Sequence, residues 1–374
     1  MLIIISAFLG TAFFIRGRIL VYISLIFFLL YSFSSGLTFY LNKVSSPILS
    51  CDVKIPSEDF FLGATLTLPK NNSSLKIPGI VLIPGSGKQD RDETFGLFNA
   101  TFKEIAYFLT KNGFVVIRYD KRGVGRSGGD YTSASLYEFA LDAESVFSYL
   151  KSRKEVDSSK IFLIGHSYGG KVATIVASRH PETEGLILLA CVASSEPDNL
   201  IRQNRFISEV RKESESERKA RFKSLNHWFE KVRSLEYRDY KDYFGPEGLA
   251  RELQKIQKFN PLPPQWLRQA MEYNQLETLA TLKMPILVIS GTSDWMVPPS
   301  ETKLVQSALE KAFHPDFEVI IFSDIDHHFT RVESAEKSYK IMSLTSIMDF
   351  FKVKPIDPDV LNKILDWLKI KIDK

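Results

Sequence analysis

Residues 161–170, Ile-Phe-Leu-Ile-Gly-His-Ser-Tyr-Gly-Gly, constrain the fold more than any other stretch of the chain. An apolar run ends in Gly-x-Ser-x-Gly, and a small-residue helical pattern from Lys171 to Ser178 follows at once. That order is strand, sharp turn, helix. The turn lifts Ser167 above the end of a buried strand. Gly165 and Gly169 flank it because the backbone there passes close to neighbouring elements, where a Cβ would collide. Ser167 is therefore a candidate nucleophile, and Tyr168 opens a helix whose free N–H groups suit an anion. Gly/Ser turns also join strands to helices in proteins that do no chemistry. The rest of the chain must supply a base, an orienting acid and a further oxyanion donor.

Short apolar runs recur on both sides of this turn. Gly79–Ile83, Phe114–Ile117, Gly185–Ala190, Pro285–Ile289 and Phe317–Phe322 read as strands buried on both faces. Helical patterns over Phe98–Thr110, Ser133–Lys151 and Pro299–Phe313 separate them, and a last helix runs from Pro358 to about Ile370 with Leu361, Ile364, Leu365 and Leu368 on its buried face. Alternating strands and helices predict an α/β protein: a mostly parallel sheet covered on both faces. Asp52–Ile55 and Phe60–Leu68 form an antiparallel start. From Ser194 to about Gln275 no strand pattern is visible, which predicts a helical cap inserted into the core. Its charge run, Lys212–Arg221, reads as a solvated helix face. Its aromatics, among them Trp228, Phe229, Tyr237, Tyr240, Tyr243 and Phe244, either line a substrate cleft or pack cap to core. The expected organisation is residues 1–45 as anchor or signal and linker, 46–193 and 276–374 as the two parts of the core, and 194–275 as the cap.

The N-terminus departs from this pattern. Met1–Ile15 is almost wholly apolar, Arg16-Gly17-Arg18 interrupts it, and Ile19–Leu41 is uncharged and rich in aromatics. About 20 apolar residues span a hydrocarbon core as a helix, so the second run is long enough. The positive-inside tendency sets Arg16 and Arg18 in the cytoplasm and everything after Leu41 outside. The expectation is a membrane anchor holding an extracytoplasmic domain. The alternative is secretion after signal cleavage near Ser32-Phe33-Ser34. A formal net charge of +4 without a dense basic block gives no case for a nucleic-acid partner. Two cysteines, Cys51 and Cys191, do not make a disulfide framework, and Cys191 reads as a buried small residue. Without CxxC or HExxH there is no case for a metal site.

Residues 120–128, Asp-Lys-Arg-Gly-Val-Gly-Arg-Ser-Gly, contain G-x-G-x-x-G after a strand. A dinucleotide site would open a helix directly and set an acid at the end of the next strand, about 20 residues on. Here Gly129–Thr132 prolongs the loop, and Asp142 and Glu144 fall inside a helix. A rigid loop is the better reading, with Asp120 and Arg122 bracing it, and no cofactor is expected. Asp90, Arg91 and Asp92 read as a loop salt-bridge network.

Ser167, Asp294 and one of His327 and His328 follow the ends of three predicted strands, in the order Ser, Asp, His. Parallel α/β sheets bind ligands at the carboxyl ends of their strands, which brings all of these to one rim. A serine hydroxyl is a poor nucleophile until a neutral imidazole takes its proton. A carboxylate fixes the imidazole tautomer and stabilises the imidazolium. Asp is also common in turns, so Asp294 has a purely structural alternative before Trp295. The oxyanion needs two preorganised donors: Tyr168 N–H is one, and the loop Pro84-Gly85-Ser86-Gly87 offers Ser86 N–H as the other. His166, His180, His227 and His314 read as structural.

Together these motifs resemble the α/β-hydrolase superfamily. Pro84-Gly85-Ser86-Gly87 followed by Gln89-Asp90-Arg91-Asp92-Glu93 is similar to the P-G-S-G-x-x-D-R-D oxyanion loop of a bacterial serine-esterase group. That group also carries L-x-G-T-L-x-L-P, which here is Leu62-Gly63-Ala64-Thr65-Leu66-Thr67-Leu68-Pro69, and N-H-x-F, which here is Asp326-His327-His328-Phe329. The second match singles out His327, and Asp326 stands where the group has Asn, a departure that bears on the local hydrogen bonding and not on the histidine. The resemblance covers roughly Asp52–Lys369. It implies an eight-stranded sheet and cofactor-free hydrolysis of short-chain carboxylic esters through a Ser-His-Asp triad and an acyl-enzyme. An aminopeptidase or amidase, a lipase or acyltransferase acting on membrane lipids, and a non-catalytic binding module share the fold.

Overall fold

A computed structural model describes residues 47–70, 76–95, 99–234, 264–343 and 355–373. In chain order the elements are β1 (Ile48–Ser57), β2 (Phe60–Pro69), β3 (Ile77–Ile83), β4 (Thr94–Phe95), β5 (Asn99–Ala100), α1 (Thr101–Lys111), β6 (Val115–Tyr119), α2 (Leu136–Lys151), β7 (Val156–His166), α3 (Gly169–Arg179) and β8 (Gly185–Leu189). They continue with α4 (Glu196–Val210), α5 (Glu215–Ser234), α6 (Pro264–Glu272), α7 (Gln275–Thr281), β9 (Ile286–Gly291), α8 (Pro299–Lys311), β10 (Phe317–Phe322), α9 (Ala335–Met342) and α10 (Pro358–Ile372).

The apolar runs become one eight-stranded sheet in the order β1-β2-β6-β3-β7-β8-β9-β10. β1 with β2 and β2 with β6 are antiparallel, and every pair from β6 to β10 is parallel. Successive side chains of a strand point to opposite faces. Val81 and Ile83 accordingly join one apolar cluster with Phe147 of α2 and Ala173 of α3. Ile80 and Leu82 join a second with Phe102 of α1 and Trp367 of α10. Both faces are thus covered, as a parallel sheet requires. Each fully buried Ile or Leu contributes about 1.5–3 kcal/mol.

Several boundaries differ from the sequence expectation for local reasons. α1 starts at Thr101, because Asn99–Ala100 first pairs with Thr94–Phe95 in a two-stranded ribbon. α2 starts at Leu136 and not at Ser133, because Ser135 closes a capping box with Glu138: Glu138 N–H donates to Ser135 Oγ (3.1 Å) and Ser135 N–H to Glu138 Oε2 (2.7 Å). α4 starts at Glu196, with Ser195 as its cap and Pro197 in its first turn. Helix α9 had no clear apolar period in the sequence.

Helices α4 to α7 all lie between β8 and β9, where a helical insertion was expected. Trp228 and Phe229 are buried and belong to the core cluster, so these two aromatics pack and do not line a cleft. The other cap aromatics, Tyr237 to Phe244, lie outside the described residues. So do the expected membrane spans within residues 1–45. No helix among the described residues is long and apolar enough to cross a membrane.

Candidate active site

The turn between β7 and α3 is as tight as its glycines imply. A Cβ on Gly169 would lie 2.1 Å from the Ile83 carbonyl oxygen, and one on Gly165 would lie 2.4 Å from that of Gly169. Ser167 has φ +53°, a left-handed conformation unusual for a residue with a side chain, and its N–H donates to Leu189 O at 2.8 Å. The loop after β3 lies directly against this turn: a Cβ on Gly85 would come within 3.2 Å of Ser167 Cβ. Among the described residues the amides of Ser86 and Tyr168 have no acceptor.

Asp294 follows β9 and is buried. Its Oδ1 accepts from the amides of Met296 and Val297, both at 2.8 Å. Its Oδ2 faces His327 Nδ1 at 2.7 Å. The turn-bracing and histidine-facing readings of Asp294 therefore hold together, one on each oxygen. Because a carboxylate only accepts, Nδ1 of His327 carries the proton and Nε2 is left as the basic nitrogen. His328 points elsewhere. Its Nδ1 lies 3.3 Å from Thr101 Oγ1, its ring stacks on Phe95 at 5.0 Å, and burial holds its pKa well below the ordinary value. Asp326 does what an Asn would do there, since its Oδ1 accepts from the amides of His328 and Thr330, both at 3.0 Å. Burial pushes its pKa up to about 6.

Ser167, Tyr168, Ser86 and His327 line one cavity of about 410 Å³, with Trp295 and Tyr339 on its outer wall. Asp294 sits behind His327. Among the described residues Ser167 Oγ makes no hydrogen bond.

Two residues that sequence reasoning left aside join these parts. Glu93 Oε1 accepts from Gly85 N–H at 2.6 Å, and its Oε2 lies 2.7 Å from His166 Nδ1. His166 Nε2 lies 3.0 Å from the His327 carbonyl oxygen. Both partners of the ring are acceptors, so both ring nitrogens carry protons and His166 is an imidazolium. Burial, the largest single effect, pushes its pKa down. The Glu93 charge and hydrogen bond, with the His327 carbonyl, outweigh it, and the net shift is upward. One buried ion pair thereby ties the loop after β3 to the histidine loop. Lys121 holds the same loop from the other side, donating to Gly85 O and Gly87 O, and burial pushes its pKa down to about 7. The bracing expected of the outer loops is present. Arg91 is bidentate to Asp120 (3.1 and 2.6 Å), Arg118 Nε pairs with Asp92 (2.6 Å), and Arg122 is bidentate to buried Asp142 (2.7 and 3.0 Å). No cluster of residues among those described could hold a metal.

Residues 99–334 match the family model described as serine aminopeptidase, S33. The chain is 25% identical over 307 residues to esterase EstD of Thermotoga maritima, covering 82% of this chain and 65% of that protein, so it spans about two thirds of that relative's length. It is 27% identical over 207 residues to the bifunctional esterase/perhydrolase DCH of Acinetobacter calcoaceticus, covering 51% of this chain and 68% of that one. A solved structure of Est1E from Butyrivibrio proteoclasticus, with ferulic acid bound, aligns over 86% of this chain and all of its own with a TM-score of 0.55 at 18% identity, which is a likeness of fold.

His166 holds its proton more tightly in the fold than its ordinary pKa of 6.5 implies. The stability this contributes is complete below that pH and is lost as pH rises through the raised folded-state value. Glu93→Gln keeps an oxygen for the Gly85 amide and removes the charge. Its urea midpoint should lie below wild type at pH 6.5 and converge with it as pH rises; a constant gap across the whole range would contradict the ion-pair assignment.

Proposed function

The chain belongs to the serine aminopeptidase, S33, family within the α/β-hydrolase superfamily, and from that premise we propose that it is a serine hydrolase cleaving carboxylic esters. The observation that carries this reading is the Asp294–His327 contact of 2.7 Å on the cavity that also holds Ser167. In the proposed reaction Ser167 Oγ attacks the ester carbonyl carbon as His327 Nε2 takes its proton. The amides of Ser86 and Tyr168 receive the oxyanion. Collapse of the tetrahedral intermediate breaks the carbon–oxygen bond, and His327 returns the proton to the leaving alcohol. Water, deprotonated by His327, then releases the acid from the acyl-enzyme. Asp294 holds the tautomer and stabilises the imidazolium at each step.

The family carries the word aminopeptidase in its description, yet the charges at the cavity favour an ester. A substrate ammonium would need an ionised carboxylate facing it. Of the carboxyls lining the cavity, Glu93 is committed to His166 and Gly85, and Glu196 is fully buried, with a pKa pushed well above the ordinary range by that burial. The esterase names of the relatives point the same way.

We also propose that residues 1–45 tether the enzyme to a membrane with the hydrolase unit outside the cytoplasm, supported by the apolar run Ile19–Leu41 and the preceding Arg16 and Arg18. The full chain should then remain in the membrane pellet after an alkaline carbonate wash and be open to protease added from the extracytoplasmic side. Release by the wash would contradict it.

Hydrolysis of p-nitrophenyl acetate and butyrate should be abolished in Ser167→Ala. It should drop by about 10⁴-fold in kcat in Asp294→Asn, the size of effect a lost tautomer lock produces. His327→Ala should lose far more than His328→Ala. A Ser167→Ala enzyme as active as wild type would overturn the assignment.

A further inference from the structure

The cavity that holds Ser167 is walled on its outer side by α4, α5 and α9, and its charges are unbalanced. Arg221 is neutralised: its Nε lies 2.9 Å from Glu213 Oε2, its Nη2 meets Glu213 Oε1, and its Nη1 lies 3.3 Å from Asn204 Oδ1. Arg211, immediately after α4, is different. Its Nε donates to the hydroxyl of Tyr339 at 2.8 Å, and its guanidinium lies 6.0 Å from that ring's centroid. Among the described residues it has no ion-pair partner, and both terminal nitrogens are without an acceptor. Aromatic rings continue from Tyr339 along this wall. Tyr339 packs edge-on against Trp295 at 5.1 Å, and Phe206 stacks on the same indole at 5.9 Å. Two guanidiniums therefore share one carboxylate at a wall of the cavity, and neither Glu93 nor Glu196 offers a free negative charge to balance the second.

Arg211 is exposed at the cavity wall and steadied at Nε by the Tyr339 hydroxyl, so it can receive an anion without first breaking an ion pair. A guanidinium with its two terminal nitrogens free is shaped for a bidentate carboxylate. We propose that the ester cleaved at Ser167 itself carries a carboxylate, received by Arg211 at the α4–α9 side of the cavity. This rests on the ester-hydrolase reading above. It narrows that reading to anionic esters, hemiesters of dicarboxylic acids or esters of carboxylate-bearing alcohols.

The test uses the full chain with two matched series. One compares monoethyl esters of the dicarboxylic acids from succinic to azelaic with ethyl esters of monocarboxylic acids of equal length. The other compares acetate esters of hydroxycarboxylic acids with acetates of the corresponding alcohols. In at least one series and length, kcat/KM should favour the anionic ester by about tenfold or more, the gain expected of paired charge-assisted hydrogen bonds. That ratio should fall as salt is raised. It should collapse to about one or below in Arg211→Met and take an intermediate value in Arg211→Lys. Because the ratio is internal to each preparation, partial loss of folded enzyme does not affect it. Ratios at or below one throughout both series in a wild type that labels with a fluorophosphonate overturn this proposal alone, as does an undiminished ratio in Arg211→Met. A wild type that neither labels nor hydrolyses any ester overturns the ester reading and this proposal with it.

Discussion

The close approach of Gly169 to the end of β3 is the constraint on which the site depends. With the Ile83 carbonyl oxygen 2.1 Å from where a Cβ would stand, helix α3 can start nowhere but against the Pro84–Gly87 loop. That contact brings the start of the helix against the loop after β3, and Ser167 just before it takes a left-handed backbone. Strain of this kind persists only where the surroundings over-determine it. Here they do, since the Ser167 amide is held by Leu189 at the end of the neighbouring strand.

Position alone does not keep a loop rigid, and the polar scaffold beneath the site does the rest. Glu93 and His166 form a buried pair whose outer contacts reach Gly85 on one side and the His327 carbonyl on the other. The loop after β3, the serine turn and the histidine loop are thus joined through three hydrogen bonds. Breaking such a pair is far more costly than its net contribution to folding, because it strands a buried charge. Its value lies in geometry: the groups that must stabilise a transition state need to be in place before it forms. The same pair removes Glu93 from the cavity's charge balance, which leaves the wall near Arg211 positive.

Much of this was legible in the sequence, and the exceptions have physical causes. Strands β3, β8 and β9, and β7 from Ile161 onward, are apolar runs bounded by turn residues, so period and length identify them; the polar first half of β7, Asp157–Lys160, carries no such signal. Ser167, Asp294 and the paired histidines follow strand ends, which the fold class alone brings to one rim. His327 could be told from His328 only by motif, and the structure separates them by what each ring nitrogen meets: Asp294 for one, Thr101 for the other. Glu93 was unreadable as a brace because its partner is 73 residues away and no local pattern links them. Arg211 borders a run that reads as a solvated helix face. Most of that run is exposed, as Arg211 is, yet Arg211 and the half-buried Arg221 both line the cavity, which no local pattern announces. Helix α9 has only a short apolar face, built by Tyr339 and Met342, too brief for periodicity to find.

The central claim is that Ser167 is a nucleophile activated by His327. Its most direct test is to treat the full chain with a fluorophosphonate and locate the adduct by peptide mass spectrometry. The account predicts a single stoichiometric adduct on Ser167, formed at a rate that falls steeply in His327→Ala. An adduct on another residue, or an undiminished rate without His327, would contradict it.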